Sequence, residues 1–205
     1  MTRSPIARGF RGRRPDGHTD RLPPGQYLTS GFPVLSAGPT PHTDLESWSF
    51  SIYDRDIALV EWSWFEFETL RQTRVKVDIH CVTKWSKLDT HWQGVTIDTL
   101  FDAAGLSEAP TSFTMIHSEG DYTTNIPVED LIEGKAMVAT RYEGDPLEAV
   151  HGGPARLLVP HLYFWKSAKW VRRLQFIPDD EPGFWEELGY HMYGDPWREQ
   201  RYAGD

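Results

Sequence analysis

The chain has 205 residues, 39% of them hydrophobic and 25% charged, and its formal net charge is −9 at pH 7. A chain of this size and composition can bury a core, so we expect a single folded domain and not a disordered or fibrous protein. The net negative charge argues against binding to nucleic acid or to an anionic membrane surface. The sequence has no apolar run near the roughly 18 residues that span a bilayer.

The N-terminal residues differ in composition from the rest of the chain. Residues 1–21 are rich in arginine and proline and predict a flexible arm, whereas residues 22–205 predict the domain. Arg13 and Arg14 precede neither an apolar stretch nor a small-residue cleavage site, so we do not interpret them as an export signal. We therefore expect a cytoplasmic location, and the single cysteine of the chain agrees with a reducing compartment.

The first half of the domain alternates apolar and polar residues in the manner of half-buried strands. Strands are predicted over Trp48–Ile52, Ile57–Trp62 and Val75–Ile79. Between the second and third strands, Ser63 and Glu66 have the spacing of a capping box, which predicts a short helix. The third strand leads directly into the segment that carries the cysteine.

The middle of the chain combines loops with shorter regular elements. A loop is predicted over Cys81–Gly94, followed by a helix over Ile97–Ala104 that ends at Gly105. Apolar alternation resumes over Phe113–His117 and predicts another strand. The polar segment Asp121–Asn125 predicts a second loop.

The last third of the domain returns to strands. Pro127 marks the predicted start of a short helix that ends at Gly134. A strand is predicted over Ala136–Tyr142, and two more over Arg156–Pro160 and Lys169–Ile177. The segment between these last two strands is a loop rich in aromatic residues and lysine.

The C-terminal tail, Pro182–Ala203, carries six large aromatic residues. So many rings in a terminal segment predict that the tail is docked on the surface of the domain. Together the elements predict an α+β fold that is mixed and dominated by strands, with helices at its edges.

Cys81 is the single cysteine of the chain, so an internal disulfide is excluded. Its role lies in packing, in nucleophilic chemistry or in metal ligation. Its position at the end of a strand, with His80, Lys84 and Lys87 nearby, predicts a lowered thiol pKa. The alternatives are a small buried core residue and the nucleophile of a hydrolase or transferase that uses a distant histidine as base.

A second segment has the composition of an anion site. In His151–Gly153, two glycines permit close approach of the backbone to a bulky group and leave amides free to bind it. Arg156 follows with a guanidinium fork suited to phosphate, and Lys166 and Lys169 add two ammonium groups. The alternatives are a solvated turn with an exposed charged loop, or a non-catalytic anion-binding module. With Cys81, the segment predicts a metal centre carried by an anionic cofactor.

Two motifs resemble the molybdopterin-binding domain of the sulfite oxidase family, and more closely its bacterial branch with the catalytic subunit of the periplasmic methionine-sulfoxide reductase. The first is His80–Ser86 with Trp92–Gly94. The second is Gly153–Pro160 with Tyr163, Lys166, Ser167, Lys169 and Trp170. The resemblance covers residues 22–200 and implies a sulfite oxidase-like molybdopterin-binding fold that holds molybdenum on one molybdopterin.

The resemblance also implies roles for individual residues. Cys81 resembles the molybdenum ligand, and Thr83 and Lys84 are its expected catalytic neighbours. The implied cofactor-binding residues are Cys81, His117 (or Ser118), His151, Arg156, Ser167, Ala168 and Lys169, with one more contact expected within Tyr27–Phe32. Thr83 stands where the reductases carry a glutamate, and Lys84 and Lys87 replace the arginine-rich run of the sulfite oxidases.

The resemblance implies a two-electron oxo transfer on a small-molecule substrate. Because the arginine-rich run is absent, reduction of an S-oxide or N-oxide is favoured over oxidation of sulfite. Lys84 and Lys87 keep sulfite oxidation as the alternative, since two ammonium groups near the metal attract a dianion. The sequence carries no haem or flavin motif, so a separate electron donor or acceptor protein is expected.

Overall fold

The computed structural model describes residues 20–205, which form two β-sheets flanked by short helices. The strands, in chain order, are β1 (Tyr27–Leu28), β2 (Ser49–Asp54), β3 (Ile57–Ser63), β4 (Thr73–His80), β5 (Trp85–Thr96), β6 (Phe113–Ser118), β7 (Thr123–Pro127), β8 (Met137–Tyr142), β9 (Asp145–Pro146), β10 (Arg156–Leu158) and β11 (Val171–Ile177). The helices are α1 (Trp64–Thr69), α2 (Ile97–Ala103) and α3 (Phe184–Glu187). These elements confirm the strand-dominated α+β class with edge helices.

Strand β5 organises the six-stranded sheet. It pairs in parallel with β1 and antiparallel with β4 and β8, and β8 also pairs with β9 and β10. The five-stranded sheet has the order β3-β2-β11-β6-β7, in which the β2–β11 pair is parallel and the others are antiparallel. Gly94 lies where β5 contacts β8, and a Cβ there would overlap the backbone of Val138. Both sheets are therefore mixed, and β5 and β8 are closely joined.

Two clusters of buried side chains stabilise this arrangement. The larger cluster draws on both sheets, with Phe50 and Leu174 from one and Val138 from the other. The smaller cluster contains Cys81 together with the rings of Trp85, Trp92 and Phe164. The cysteine therefore lies against a rigid aromatic wall.

The two helices predicted from capping signals are confirmed. Ser63 N donates to Glu66 Oε2 at 2.8 Å, and Glu66 N donates to Ser63 Oγ at 3.4 Å, which completes the capping box of α1. Helix α2 ends as predicted, because Gly105 follows it with a φ of +71°, a conformation that glycine adopts without strain. The capping signals in the sequence are therefore sufficient to predict both helices.

The predicted loop over Cys81–Gly94 is wrong, because β5 occupies most of it. Its buried positions include a polar side chain, and this obscures the strand pattern. The Thr90 hydroxyl donates to the Val77 carbonyl at 2.6 Å and accepts a hydrogen bond from Trp92 Nε1 at 2.8 Å. Near Asp89, whose φ is +59°, the register with β4 shifts. Pairing with neighbouring strands, and not apolar alternation, determines this strand.

The predicted loop over Asp121–Asn125 and the helix start at Pro127 are also wrong. Thr123 begins β7, Pro127 is its last residue, and a single 3₁₀ turn, Val128–Asp130, replaces the helix. Strand β7 lies at the edge of its sheet, where a residue without an N–H is tolerated. The fixed φ of proline suits a strand end as well as a helix start, so the sequence signal was ambiguous.

Most of the arm predicted over residues 1–21 lies outside the described residues. Of its last two residues, Arg21 donates to both oxygens of Asp78 and to Asp89. Among the residues that the structure describes, no helix combines the length and apolar character needed to cross a bilayer.

The aromatic C-terminal tail packs on the domain through a buried ion pair. Glu186 of α3 lies 2.6 Å from Lys166 Nζ and accepts hydrogen bonds from Trp165 Nε1 and Thr124 Oγ1 at 2.8 and 3.0 Å. Lys166 is fully buried and also donates to both oxygens of Asn125. Because neither charge reaches solvent, the pair attaches α3 firmly to the loop before β11.

We expect Lys166→Met to lower the free energy of unfolding by about 3–5 kcal/mol, because it leaves the Glu186 carboxylate buried without its partner. The double variant Lys166→Met with Glu186→Leu should recover much of this loss, since it removes both charges. Urea unfolding followed by tryptophan fluorescence measures the difference. Lys135→Met is the matched control, because Lys135 is exposed and should change stability by less than about 1 kcal/mol. Equal losses of stability in Lys166→Met and Lys135→Met would contradict the stabilising role of the buried ion pair.

Candidate active site

A cavity of about 460 Å³ opens beside Cys81, where the end of β4, the segment from Phe164 to Trp170 and an N-terminal strap over residues 32–41 come together. The predicted site residues on its wall are Cys81, Thr83, His151, Arg156, Ser167, Ala168 and Lys169. Residues far apart in sequence therefore line one site. The other two predicted residues, His117 and Lys84, lie elsewhere.

His117 and Lys84 are both absent from the cavity wall. His117 Nε2 lies 2.6 Å from Gln175 Oε1 on the neighbouring strand β11. Burial lowers the pKa of His117, so its imidazole is neutral at pH 7. The side chain of Lys84 is exposed to solvent. Glu119 and Gly120, which follow His117 closely in sequence, line the cavity in its place.

Backbone and side-chain donors surround Cys81. Its N–H donates to the Trp85 carbonyl at 2.8 Å, and its carbonyl accepts from Gln26 Nε2 at 3.1 Å. The Thr83 hydroxyl donates to the sulfur at 3.2 Å. Burial raises the pKa of the Cys81 thiol, while hydrogen bonds from Thr83 and Val82 and the charge of Arg201 act in the opposite direction.

The expected lowering of the thiol pKa by nearby cations is therefore wrong. Burial lowers the pKa of His80 to about 4, so its imidazole is neutral, and its Nδ1 lies 2.8 Å from Ser86 Oγ. Lys87 Nζ donates to the Ser30 carbonyl at 2.7 Å. A buried sulfur surrounded by donors fits a metal ligand, because a metal ion replaces the proton and the donors stabilise the thiolate.

Arg156 is the main cation of the site and is 1% exposed. Its Nη1 donates to the His151 carbonyl at 2.8 Å and its Nη2 to the Ser167 carbonyl at 2.5 Å, and the guanidinium carbon lies 4.1 Å from the centre of the Phe164 ring. Burial lowers the pKa of Arg156 to about 9, so the group stays charged at pH 7. Within residues 20–205 no carboxylate lies within 4 Å of it. A buried cation of this kind fits a cofactor that brings its own negative charge.

The two glycines of the motif serve a different purpose from the one predicted. The amides of Gly152 and Gly153 donate to the Ala149 and Glu148 carbonyls, both at 3.0 Å, so they are already satisfied. A Cβ on Gly153 would overlap the Leu147 carbonyl. The glycines let the chain fold tightly on itself. In contrast, the amides of Ala168 and Lys169 donate to no acceptor among the described residues, which leaves them for a ligand.

The two lysines of the same loop have separate roles. Lys166 faces the tail and not the cavity, so the prediction that its ammonium group contributes to the anion pocket is wrong. Lys169 lines the cavity, and its Nζ donates to the carbonyls of Leu35 and Val150, both at 2.7 Å. Burial, with a smaller contribution from the charge of Arg156, lowers the pKa of Lys169 to about 8. Lys169 therefore links the strap to the anion end of the cavity.

Several residues of the wall were not assigned individually from the sequence. Phe32, inside the range Tyr27–Phe32 where a contact was expected, stacks on His151 with ring centres 3.9 Å apart. Tyr122 and the tail residues Phe184, Trp185 and Tyr190 also line the cavity. The number of rings in the tail was the available signal, but the sequence does not tell where the tail docks.

With this geometry established, comparison with known proteins places the chain in a family. The model of the oxidoreductase molybdopterin-binding domain family matches residues 37–185, and the chain belongs to that family. Its cofactor is molybdopterin carrying molybdenum, and its enzymatic class is oxidoreductase. This assignment confirms the resemblance and excludes the hydrolase and binding-module alternatives.

Individual relatives support the same assignment. The chain is 41% identical over 196 residues to the uncharacterized oxidoreductase YuiH of Bacillus subtilis, a match that covers 94% of this chain and 97% of that protein. It is 27% identical to a putative protein-methionine-sulfoxide reductase subunit, YedZ1, of Azospira oryzae, over 65% of this chain and 50% of that one. It is 28% identical to the sulfite oxidase of Gallus gallus, over 48% of this chain and 24% of the oxidase.

The fold agrees with a solved structure. The sulfane dehydrogenase SoxCD of Paracoccus pantotrophus matches with a TM-score of 0.59 and 18% identity, over 68% of this chain and 40% of that one. The match confirms the sulfite oxidase-like fold. The chain spans half or less of the reductase subunit, the oxidase and SoxCD.

The residues present fit the family's cofactor. Cys81 Sγ would ligate the molybdenum, while Arg156, Lys169 and the amides of Ala168 and Lys169 would bind the phosphate of the pterin. When bound, this cofactor supplies a two-electron redox centre for oxo transfer. The protein would position it, shield it from water with aromatic side chains and provide the positive charge that its phosphate requires.

We expect Lys169→Gln to reduce the affinity for the pterin cofactor by about tenfold or more, because it removes one charge-assisted contact to the phosphate. Cofactor content per mole of protein, measured by the fluorescence of the oxidised pterin, tests this after purification at limiting cofactor. Lys135→Gln is the matched control on the exposed surface. Full occupancy in the Lys169 variant would show that the phosphate binds elsewhere.

Lys169 also predicts a pH dependence of the cofactor-free protein. Its pKa is about 8 when folded and near 10.5 when unfolded, so the unfolded chain binds more protons between these values. The contribution of Lys169 to stability must therefore rise with pH across the window from about 8 to about 10.5. Urea unfolding at pH 7.5, 9 and 10 should show that the wild type gains stability relative to Lys169→Gln. A difference that is constant with pH would contradict the assignment.

Proposed function

We propose that this molybdopterin oxidoreductase reduces a neutral S-oxide or N-oxide of a small molecule. The observation that carries the proposal is the character of the cavity wall near Cys81, where Trp85, Phe164, Trp165 and Tyr190 present aromatic rings. Rings of this kind accommodate the apolar substituents of a sulfoxide. The negatively charged sulfite ion has no apolar substituents, so it gains no such contact with the rings.

The positions of the cations among the described residues also favour oxide reduction over sulfite oxidation. Arg156 and Lys169 are assigned to the phosphate of the pterin, so neither is left for an anionic substrate. Lys84 is exposed, and Lys87 is bound to the Ser30 carbonyl, so neither ammonium group lies on the wall. The lysines that kept sulfite oxidation as an alternative therefore do not reach the site. Sulfite oxidation stays the second candidate because sulfite oxidase of Gallus gallus is about as similar to this chain as the reductase subunit is.

The reaction is balanced by two electrons and two protons. The bond between sulfur and oxygen breaks, the substrate leaves as the sulfide, and the oxygen leaves as water. Burial raises the pKa of Tyr190, so its hydroxyl stays protonated at pH 7. This hydroxyl is a neutral donor on a residue that lines the cavity, and it can hydrogen-bond to the oxide oxygen.

The electrons come, in this proposal, from a separate carrier protein that docks near the cavity mouth. The proposed location is the cytoplasm, which agrees with a single unpaired cysteine. The electron carrier and the location both extend the proposal beyond the site itself. The test of both is to identify which fraction of a cell extract supplies the electrons for turnover.

We expect the molybdenum-loaded enzyme to oxidise reduced viologen in the presence of dimethyl sulfoxide, methionine sulfoxide or trimethylamine N-oxide. Ferricyanide with sulfite, on the same sample, tests the opposite direction. Cys81→Ser should lose at least about a hundredfold in kcat, because the metal loses its protein ligand, while Ser107→Ala on the surface should not change it. Fast sulfite turnover without oxide reduction would reverse the proposed direction.

A further inference from the structure

Arg201 of the C-terminal tail lies beside the turn formed by Cys81–Lys84, called the Cys81 turn below. It is 8% exposed and does not line the cavity, so it cannot touch a substrate. Its Nη1 donates to the Val82 carbonyl at 2.8 Å and its Nη2 to the Pro24 carbonyl at 3.4 Å. The guanidinium carbon lies 4.9 Å from the centre of the Tyr163 ring. One side chain thus joins the N-terminal segment, the metal-binding turn and the tail.

The contact with Val82 involves the peptide group that precedes Thr83, the residue whose hydroxyl contacts the sulfur. The carbonyl of Val82 and the nitrogen of Thr83 belong to the same peptide unit, and the Thr83 hydroxyl donates to Cys81 Sγ at 3.2 Å. Arg201 therefore acts on the sulfur in two ways, by holding the residue that carries this donor in place and by bringing a positive charge near the sulfur.

The positive charge is incompletely compensated. The carboxylate of Glu199 lies 3.8 Å from Arg201 Nη2, and its side chain is about half exposed, so solvent screens it. The backbone of the same segment is fixed, because Asp205 accepts from Arg201 N at 2.9 Å. Gln26 Nε2 separately donates to the Cys81 carbonyl at 3.1 Å. The turn is therefore clamped between two residues that lie outside the cavity.

We propose that Arg201 is a positioning residue that holds the Val82–Thr83 peptide, and with it the Thr83 hydroxyl, beside Cys81 Sγ and sets how strongly the thiolate donates electrons to molybdenum. A hydrogen bond to the thiolate and a nearby positive charge both withdraw electron density from the sulfur. They favour the reduced, more negatively charged metal centre. This inference depends on the family's molybdenum site and not on the direction of the reaction.

The first test measures the metal in the loaded enzyme. Arg201→Met and Arg201→Gln should lower the midpoint potential of the molybdenum and shift its Mo(V) electron paramagnetic resonance spectrum, whereas Arg201→Lys keeps the charge and should stay near the wild type. Arg74→Met is the matched control, because Arg74 is an exposed arginine bound to Gln93 at 2.9 Å on another strand pair. Wild-type potential and spectrum in both neutral variants would overturn the proposal.

The second test needs no cofactor. The Lys84 amide donates to the Cys81 carbonyl at 2.9 Å and reports the order of the turn. Its hydrogen exchange should accelerate about tenfold or more in Arg201→Met, with little change in β8 or in Arg74→Met. Unchanged exchange at Lys84 would overturn the positioning role, and equal acceleration throughout the protein would reduce Arg201 to a general stabiliser. A wild type without molybdenum would defeat the proposed function, and the exchange result would still decide whether Arg201 orders the turn.

Discussion

The buried guanidinium of Arg156 is the constraint on which the site depends. This full positive charge is buried, and it contacts two main-chain carbonyls and the ring of Phe164. Within the described residues no carboxylate neutralises it. Dipoles reduce the cost of burying a charge but do not remove it. An anionic group that enters the cavity relieves this cost and gains a short-range interaction in a medium of low dielectric. The fold therefore has a strong physical reason to bind a phosphorylated cofactor at this point.

The loops around Arg156 follow from the same constraint. The carbonyls that solvate it belong to His151 and Ser167, so both loops must fold tightly against the start of β10. Gly152, with a φ of +108°, permits this at the first loop, since its missing side chain leaves room for Lys169. Lys169 is thus brought close to Arg156. Their mutual repulsion contributes to the low pKa of Lys169 and is relieved by the same anion.

The sequence predicted best those features that depend on few neighbours. Cys81, Arg156 and Lys169 are chemically distinctive and lie in short motifs, and the resemblance of those motifs to a known family assigned them to one site. Lys166 belongs to the same loop as Lys169, yet it points to the tail, because the direction of each side chain depends on the turn between Tyr163 and Lys166. Strand β5 was missed because its partners, and not its own alternation, stabilise it. Arg201 and Tyr190 could not be found, since their roles exist only once the tail has docked.

The two ends of the cavity are therefore supported in different ways. The phosphate end is built from Arg156, Lys169 and the loops that adjoin them in sequence, so its geometry is largely local. The sulfur end depends on contacts from both ends of the described chain, with Gln26 from one end and Arg201 from the other. Removal of the Arg201 side chain should disturb the metal ligand before it disturbs phosphate binding, because that side chain donates hydrogen bonds to the Cys81 turn and not to the loop that carries Lys169. Cofactor retention and the electronic properties of the metal should for this reason be separable by variants at Arg201.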